Sequence, residues 1–557
     1  MKIVECVPNF SEGRDKNKIK MITDAISSVP GVSLLDVDPG ADTQRTVVTF
    51  VGEPDAVVEA AFLAIQTAAS VLDMRTHHGE HPRMGATDVC PFIPVADISM
   101  AECVQLSRRL AQKVGYELRI PVFLYEHSAT TPERQNLSTI RSGEYEGMAS
   151  KLKDPAWRPD FGPSEFNEKA GVTAIGAREF LIAYNVNLNT QSKAIASDIA
   201  LDIREAGRRS RDDQGKFITD DAGNPVMVPG KLKSVKAVGW YIEEYRIAQL
   251  SMNLTNYKIT PVHLAFEESR TQARLRGLRV TGSELVGLIP LQAMLDAGKY
   301  YLEKQNRSTA IPSEDIVHIA VKSLGLDDLG PFQAHEKIIE YRMGPEFGPL
   351  ANMSIDKFVD ELSRESPAPG GGSVSALAGS LGASLAAMVS NLTTGKRKHT
   401  DIFDKMHSVG TEAQVLKSKL LELIDEDTRA FNEVLDAYRQ PAGDDAEKTF
   451  KSRQIEQANQ HATEIPFEVL QACEDVMELA TTAATMGNPN SVSDAGVAGE
   501  MAHAGAHGAA LNVMINLNSI SDQDFCLTIR ENTNQILKKI DVDLRSLRQI
   551  VMGKLNR

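Results

Sequence analysis

The segment RTHHGEHPRMGATDVCPF at 75–92 holds the chain's densest set of groups able to move protons or bind anions: His77, His78, Glu80, His81, Arg83 and Asp88. Imidazole is the side chain whose ordinary pKa suits proton transfer near neutrality, so general acid and base chemistry is one reading. His77 to His81 also spell H-x-x-E-H, an inverted zinc-protease pattern that works only where a helix brings both histidines onto one face. Gly79 inside the pattern and Pro82 directly after it oppose that helix, because proline disfavours α geometry in the residue before it. No metal is expected there. What is left is either a solvated surface loop or a catalytic one, and loops carry functional groups more often than cores do.

Three more polar residues stand at the ends of strand-like runs: Asn9, Asp38 and Arg45. Gathered at one sheet edge they would offer an amide, a carboxylate and a guanidinium to a polar substrate; singly, each also reads as a turn or cap residue. Far along the chain, LIDEDTRAFNEVLDAYRQP at 423–441 carries Asp425 and Asp427. Leu416, Leu420, Leu423, Phe431, Val434 and Tyr438 recur at helical spacing, and Asp427 falls on their stripe, four after Leu423 and four before Phe431. Asp425 stands four before Arg429, the spacing of a solvated ion pair. Asp427 is therefore preferred as an acid, with Asp425 the second candidate. Gly370, Gly371 and Gly372 before a long helix would expose its first amides to an anion, and Lys396, Arg397 and Lys398 form a basic run. Helix punctuation and a solvated charge run explain the same residues.

The elements that must hold these groups alternate in the first half. Strand-like KIVECVPNF, a helix over 15–29, strands at 32–38 and 46–52, a helix over 53–72, an apolar run at 89–95, a helix near 98–115 and a strand at 121–127 follow one another. Their βαββαβ order predicts a ferredoxin-like layer of helices on one sheet. A polar, Pro-rich connection at 129–176 leads into a second round: a strand at 178–188, a helix near 192–207, a Gly/Asp-rich excursion at 209–231, strand over 235–254 and a helix near 262–276. GPEFGPLANM at 344–353 reads as a linker, after which Ala-, Leu- and Gln-rich segments at helical period dominate. The expected fold is multidomain, α+β then all-α: two ferredoxin-like α/β subdomains at 1–177 and 178–344, a linker at 345–353, and a helical domain at 354–557. Ser373, Ala376, Gly379 and Ala383, spaced three and four apart, let helix backbones approach and suit a bundle or a helix-mediated dimer. Ser366 to Gly395 lacks any charged residue, but its few strongly inserting residues are opposed by Ser, Gly and Asn throughout, so a buried helix is expected rather than a membrane span.

Composition narrows the function classes. Among 557 residues, 60 Lys+Arg against 75 Asp+Glu leave a net charge of −15, which argues against a nucleic-acid binder that must replace phosphate counterions. Hydrophobic residues at 42% and charged residues at 24% are ordinary globular values and exclude general disorder. Cys6, Cys90, Cys103, Cys473 and Cys526 are widely separated, with no C-x-x-C pair, and read as reduced thiols of a cytoplasmic protein. The opening MKIVECVPNFSEG has charge and proline within ten residues and no apolar signal core. No P-loop and no G-x-G-x-x-G opening a helix is found, so no nucleotide is expected.

Six segments in order, VECVPNFSEG (4–13), LLDVDPGADTQRTV (34–47), GEHPRMGATDVCPFIP (79–94), RPDFGPSEF (158–166), GAREFLIAYNVNL (176–188) and LGLDDLGPFQAHEKIIEYR (324–342), resemble the glutamate formiminotransferase family. The resemblance covers nearly all of the first 344 residues. It implies that His81 is the catalytic acid/base and that the folate-contacting loop falls on Gly162 to Gly171, with Gly162, Pro163, Ser164, Glu165, Phe166 and Gly171 the residues at issue. The excursion at 209–231 departs from the vertebrate-like pattern and bears only on the length of a surface loop. SPAPGGGSVSALAGSLGASLAAMVSNLTTGK (366–396), LIDEDTRAFNEVLDAYRQP (423–441) and GNPNSVSDAGVAGEMAHAGAHGAALNVMINL (487–517) resemble the formimidoyltetrahydrofolate cyclodeaminase and methenyltetrahydrofolate cyclohydrolase family. That resemblance implies an aspartate of the D-E-D helix as proton donor or acceptor, and folate anions as the ligands that Gly371 and Lys396 would meet.

Together the resemblances imply a bifunctional enzyme of histidine degradation and one-carbon metabolism. It would move the formimino group of N-formimino-L-glutamate to N5 of tetrahydrofolate, then close 5-formiminotetrahydrofolate to 5,10-methenyltetrahydrofolate with release of ammonia. Arg45 would clamp a substrate carboxylate. Tetrahydrofolate, polyglutamated, is the implied cosubstrate, with no metal; a homo-oligomer with dimer contacts through both domains is the implied assembly, with no nucleic acid and no membrane as partner. Two alternatives stand beside this: a C-terminal domain acting mainly as a cyclohydrolase, or serving only for oligomerisation.

Overall fold

The computed structural model describes residues 2–40, 44–78, 82–344, 347–395 and 401–556. His81 and Lys396, with their neighbours Gly79, Glu80, Arg397 and Lys398, lie outside the described residues. The chain forms two compact units, one of Met1–Ala293 with Leu324–Gly344, the other of Met294–Ser323 with Pro345–Arg557.

In the first unit, helix starts are set by local chemistry. Asp15 accepts from the amides of Asn17 and Lys18 to open the helix Lys16–Ser27, Pro54 occupies the first position of Pro54–Val71, and Ser99 with Glu102 forms a capping box at Met100–Glu117. These helices bury Ile22, Ile26, Ala61, Ile65, Leu110 and Val114 against Val4, Phe50, Phe92 and Ile175 of a seven-stranded sheet. Across that sheet the strands run Val32–Gly40, Arg45–Gly52, Ile3–Cys6 continued by Asn9–Phe10, Thr87–Ala96, Thr173–Ala177 and Val122–Glu126. Numbered along the chain, its first four strand positions lie in the order 2-3-1-4, all antiparallel, which is the expected ferredoxin-like arrangement.

The strand Thr173–Ala177 has no counterpart in the sequence reading, which placed it inside a connection. It is five small or β-branched residues, TAIGA, wholly buried and parallel to both neighbours. A strand covered on both sides needs no alternation of apolar and polar residues, so it leaves no period to read. The second sheet repeats the topology. Val235–Ile242, Ile247–Leu254, Ile182–Leu188 and Val280–Val286 lie side by side, again 2-3-1-4, with the helices Lys193–Ile203 and Val262–Leu275 as the crossovers. The 209–231 excursion is largely exposed and is closed by a two-residue ladder between Arg208–Arg209 and Met227–Val228.

The second unit is helical. Gly371–Thr394, Phe403–Arg439, Asp445–Met486, Val492–Asn516 and Gln523–Leu555 share one core, which includes Ala376, Ala383, Leu420, Leu470, Val476, Ala502 and Leu547. Gly371–Thr394 is the uncharged stretch, and most of its residues are buried among the neighbouring helices. Its small residues are used for close approach: a Cβ on Gly382 would lie 2.8 Å from the carbonyl oxygen of Ala498. Residues 294–323 group with this unit; the carbonyl of Ala310 accepts from Asn391 Nδ2 at 2.6 Å and from Gln414 Nε2 at 3.1 Å. Sequence reading groups them with 178–344.

Candidate functional site

One end of the first sheet collects the polar residues expected there. Asp38 pairs with Val47, Val47 with Asn9, and Asn9 with Val89, so these side chains lie in one row across four adjacent strand segments, with Arg45 two residues from Val47 on the same face. Asn9 is buried; its Nδ2 donates to the carbonyl of Val7 at 2.9 Å, while its Oδ1 and the buried Oγ1 of Thr87 have no partner among the described residues. Buried polar atoms are nearly always satisfied, so both are open to a further partner, a water or a ligand atom.

Arg45 is half-buried. Burial pulls its guanidinium below the usual arginine range, Asp88 and Asp38 pull it back up, and the charge of Arg141 lowers it further. Arg141, from the helix Leu137–Arg141, is held by Asp88 at 2.5 Å, and the other oxygen of Asp88 accepts from the amide of Met84 at 2.9 Å. Two guanidiniums close enough to repel each other, steadied by Asp88, suit a ligand bearing carboxylates. Arg141 was not anticipated: it lies 53 residues from Asp88 in a connection without a readable pattern.

The histidine segment is fixed on both flanks. His77 is buried, with Nε2 3.0 Å from the carbonyl oxygen of Gln44, while Arg83 Nε donates to its Nδ1 at 3.3 Å. An arginine donor at Nδ1 makes Nε2 the protonated nitrogen, and burial lowers the His77 pKa, so this ring is a neutral structural post. Arg83 is itself tied to Glu146 at 2.6 Å and Glu144 at 3.1 Å, and His78 is exposed. On the far side Ser11 Oγ donates to the carbonyl of Gly85 at 2.7 Å.

The 162–171 loop meets the same segment. Ala86 N donates to the Ala170 carbonyl at 2.8 Å and Val172 N to that of Met84 at 3.0 Å, so Gly171 lies against Gly85. Gly171 has φ +72° and a Cβ there would sit 2.3 Å from the Met84 carbonyl oxygen, so both conformation and space require glycine. Gly162, at φ +84°, packs instead on Ile120 and Gly115. Pro163 and Phe166 are half-exposed, Ser164 and Glu165 fully so, and Phe166 packs on Tyr145 with ring centroids 5.2 Å apart. The structure thus brings Asn9, Asp38, Arg45, Gly171 and the residues flanking His81 into one neighbourhood.

If Arg45 holds a substrate carboxylate, Arg45→Ala should raise KM for N-formimino-L-glutamate about tenfold or more, the worth of a charge-assisted hydrogen bond, while KM for tetrahydrofolate stays nearly unchanged. Steady-state kinetics with each substrate varied in turn decides this, and the opposite pattern would place Arg45 on the folate.

A second cluster lies in the helical unit, at the start of Gly371–Thr394. Asp427 Oδ2 accepts from the amide of Ser373 at 2.9 Å and lies 3.1 Å from Ser373 Oγ; among the described residues Oδ1 receives no hydrogen bond. Burial raises the Asp427 pKa against the lowering effect of those bonds. A Cβ on Gly372 would stand 2.0 Å from Asp427 Oδ1, which explains glycine there. Gly371 lies beside Asn512 of Val492–Asn516, a polar neighbour that sequence reasoning did not single out.

Asp425 differs from its expected role. It is buried, and its two oxygens accept from the amides of Leu350 at 2.8 Å and Ala351 at 3.0 Å, fastening the linker to the bundle. Arg429 pairs with Glu426 at 2.5 Å instead. The apolar stripe also ends sooner than its spacing indicates: Leu420 and Leu423 are buried, whereas Tyr438 is exposed. Helical spacing alone does not register that the preceding loop 347–351 covers the Asp425 face.

Three family models match the chain in succession: the formiminotransferase domain's N-terminal subdomain at residues 3–178, the formiminotransferase domain at 183–344, and formiminotransferase-cyclodeaminase at 354–535. A formimidoyltransferase-cyclodeaminase of Mus musculus is 42% identical over 556 residues, covering 99% of this chain and 98% of the relative. A glutamate formimidoyltransferase of Streptococcus pyogenes is 45% identical over 305 residues, 55% of this chain and 95% of the relative. A methenyltetrahydrofolate cyclohydrolase of Methylorubrum extorquens is 35% identical over 205 residues, 37% of this chain and 99% of the relative. With matches of this extent laid over both units and both polar clusters, the chain belongs to the formiminotransferase-cyclodeaminase family.

Proposed function

We propose that the sheet-end cluster performs formimino transfer and the Asp427 cluster cyclodeamination. The enzyme transfers the formimino group of N-formimino-L-glutamate to tetrahydrofolate, then closes 5-formiminotetrahydrofolate to 5,10-methenyltetrahydrofolate, releasing ammonia. The observation that carries this reading is similarity to a two-activity relative over 99% of this chain, which includes both clusters.

In the transfer, N5 of the folate loses a proton as it attacks the amidine carbon, and the departing glutamate nitrogen gains one. A single neutral imidazole serves both, and His81 is assigned that role. Arg45, Asp38 and Asn9 orient the amino-acid portion, and the 162–171 loop contacts the folate. In the second step N10 attacks the same carbon and ammonia leaves protonated, with Asp427 as the acid and Gly371 and Lys396 toward the folate anion. Neither step calls for a metal. The natural cosubstrate is a polyglutamated folate, and the working enzyme is a cytoplasmic homo-oligomer with dimer contacts through both domains.

The test uses the full chain with both substrates. Glutamate, ammonia and 5,10-methenyltetrahydrofolate should form in equal amounts. Glutamate without ammonia would sink the second assignment, and hydrolysis of methenyltetrahydrofolate outpacing ammonia release would favour the cyclohydrolase reading suggested by the Methylorubrum relative.

A further inference from the structure

His503 and His507 lie four residues apart on Val492–Asn516 and so share one helix face, their ring centroids 4.3 Å apart. That face meets Asp541 of Gln523–Leu555. Both Nε2 atoms converge on the same oxygen, His503 at 2.8 Å and His507 at 3.0 Å from Asp541 Oδ1. The three candidate donor atoms all lie within 4.8 Å of one another. Among the described residues these histidines are the only ion-pair partners of Asp541, while the nearby Glu500 is engaged with Arg548 at 2.7 Å. Asn512, which borders the Asp427 cluster, is five residues beyond His507 and on a different face of the helix.

We propose that His503, His507 and Asp541 form a binding site for a divalent transition-metal ion of the zinc class, bridging the last two helices. Two imidazoles and a carboxylate are the donor set that zinc takes with a fourth, solvent-filled position. In a tetrahedral site with bonds of about 2.05 Å, adjacent donors stand about 3.3 Å apart, so the two histidine–Asp541 spacings of 2.8 and 3.0 Å need to open by only a few tenths of an ångström. Donors on two packed helices are held in place before the ion arrives, which lowers the ordering cost of binding. The site lies outside both catalytic clusters, so the ion acts by clamping the helices and not in either reaction.

The experiment titrates Zn2+ into the full chain after chelator treatment, by calorimetry, with Co2+ absorption as a second probe of tetrahedral nitrogen and oxygen ligation. One ion per chain should bind, and His503→Gln and His507→Gln should each weaken it at least about tenfold. Zn2+ should raise the thermal unfolding temperature of the parent and not of the variants, since an ion bound only by the folded state stabilises it. Both catalytic rates should be the same with and without Zn2+. Circular dichroism checks each variant's fold, and Asp541→Asn replaces either histidine variant that fails it. No uptake by the parent would overturn the proposal and leave a hydrogen-bonded cluster; undiminished uptake by the variants would also overturn it, placing the ion elsewhere, such as at the 77–81 histidines.

Discussion

Replacing His81 by alanine is expected to slow formimino transfer by about 10²- to 10⁴-fold, the usual contribution of a positioned general acid/base. Cyclodeaminase activity on supplied 5-formiminotetrahydrofolate should stay nearly intact, because Asp427 belongs to the other compact unit. The neighbouring histidines supply the control. His77 is buried and held by Gln44 and Arg83, so His77→Ala should lower stability and displace the loop, whereas exposed His78→Ala should leave transfer close to normal. A drop of less than threefold for His81→Ala would remove it from the mechanism, and a large drop for His78→Ala would move the proton transfer to His78.

The second large effect separates two aspartates only two residues apart. Asp427→Asn should abolish cyclisation, so that 5-formiminotetrahydrofolate accumulates while transfer continues. Burial raises the Asp427 pKa, so the folded chain keeps this proton to higher pH than the unfolded chain does. The stability linked to that proton is fully present below the unfolded value and is lost as pH rises through the raised folded value. A rate that needs the proton falls across the same upper limb in the parent. Asp425→Asn should act differently. It weakens the acceptor for the buried amide of Leu350 and the part-buried amide of Ala351, at a cost of about 1–3 kcal/mol rather than the few tenths expected of an exposed helix pair. Its signature is a lower unfolding temperature of the helical unit with cyclisation retained wherever the fold is retained. Accumulation of the intermediate in the Asp425 variant at a temperature where it is folded would reverse the assignment.

The two aspartates also show where sequence reasoning reached its limit. Helical period placed Asp425 and Asp427 on different faces, which the structure bears out, because that depends only on backbone geometry. It did not register that residues 347–351 cover the Asp425 face, because that partner is 75 positions away and carries no periodic signal. The 2-3-1-4 strand orders follow from the alternation of apolar runs and helices, since short connections and one-sided helix packing leave few other ways to bury those faces. The strand Thr173–Ala177 escaped because burial on both sides erases alternation.

Residue type and motif order alone determined the family resemblance, the α/β-then-helical division and the identity of the polar residues worth testing, since these depend on chemistry written locally along the chain. Tertiary structure alone decided that Arg141 and Asp88 stand beside Arg45, that Gly171 lies against the segment following His81, that residues 294–323 group with the helical unit, and that His503, His507 and Asp541 converge on one point. Each of those depends on side chains meeting across elements far apart in sequence, where packing of whole surfaces sets the distance and no local spacing can encode it.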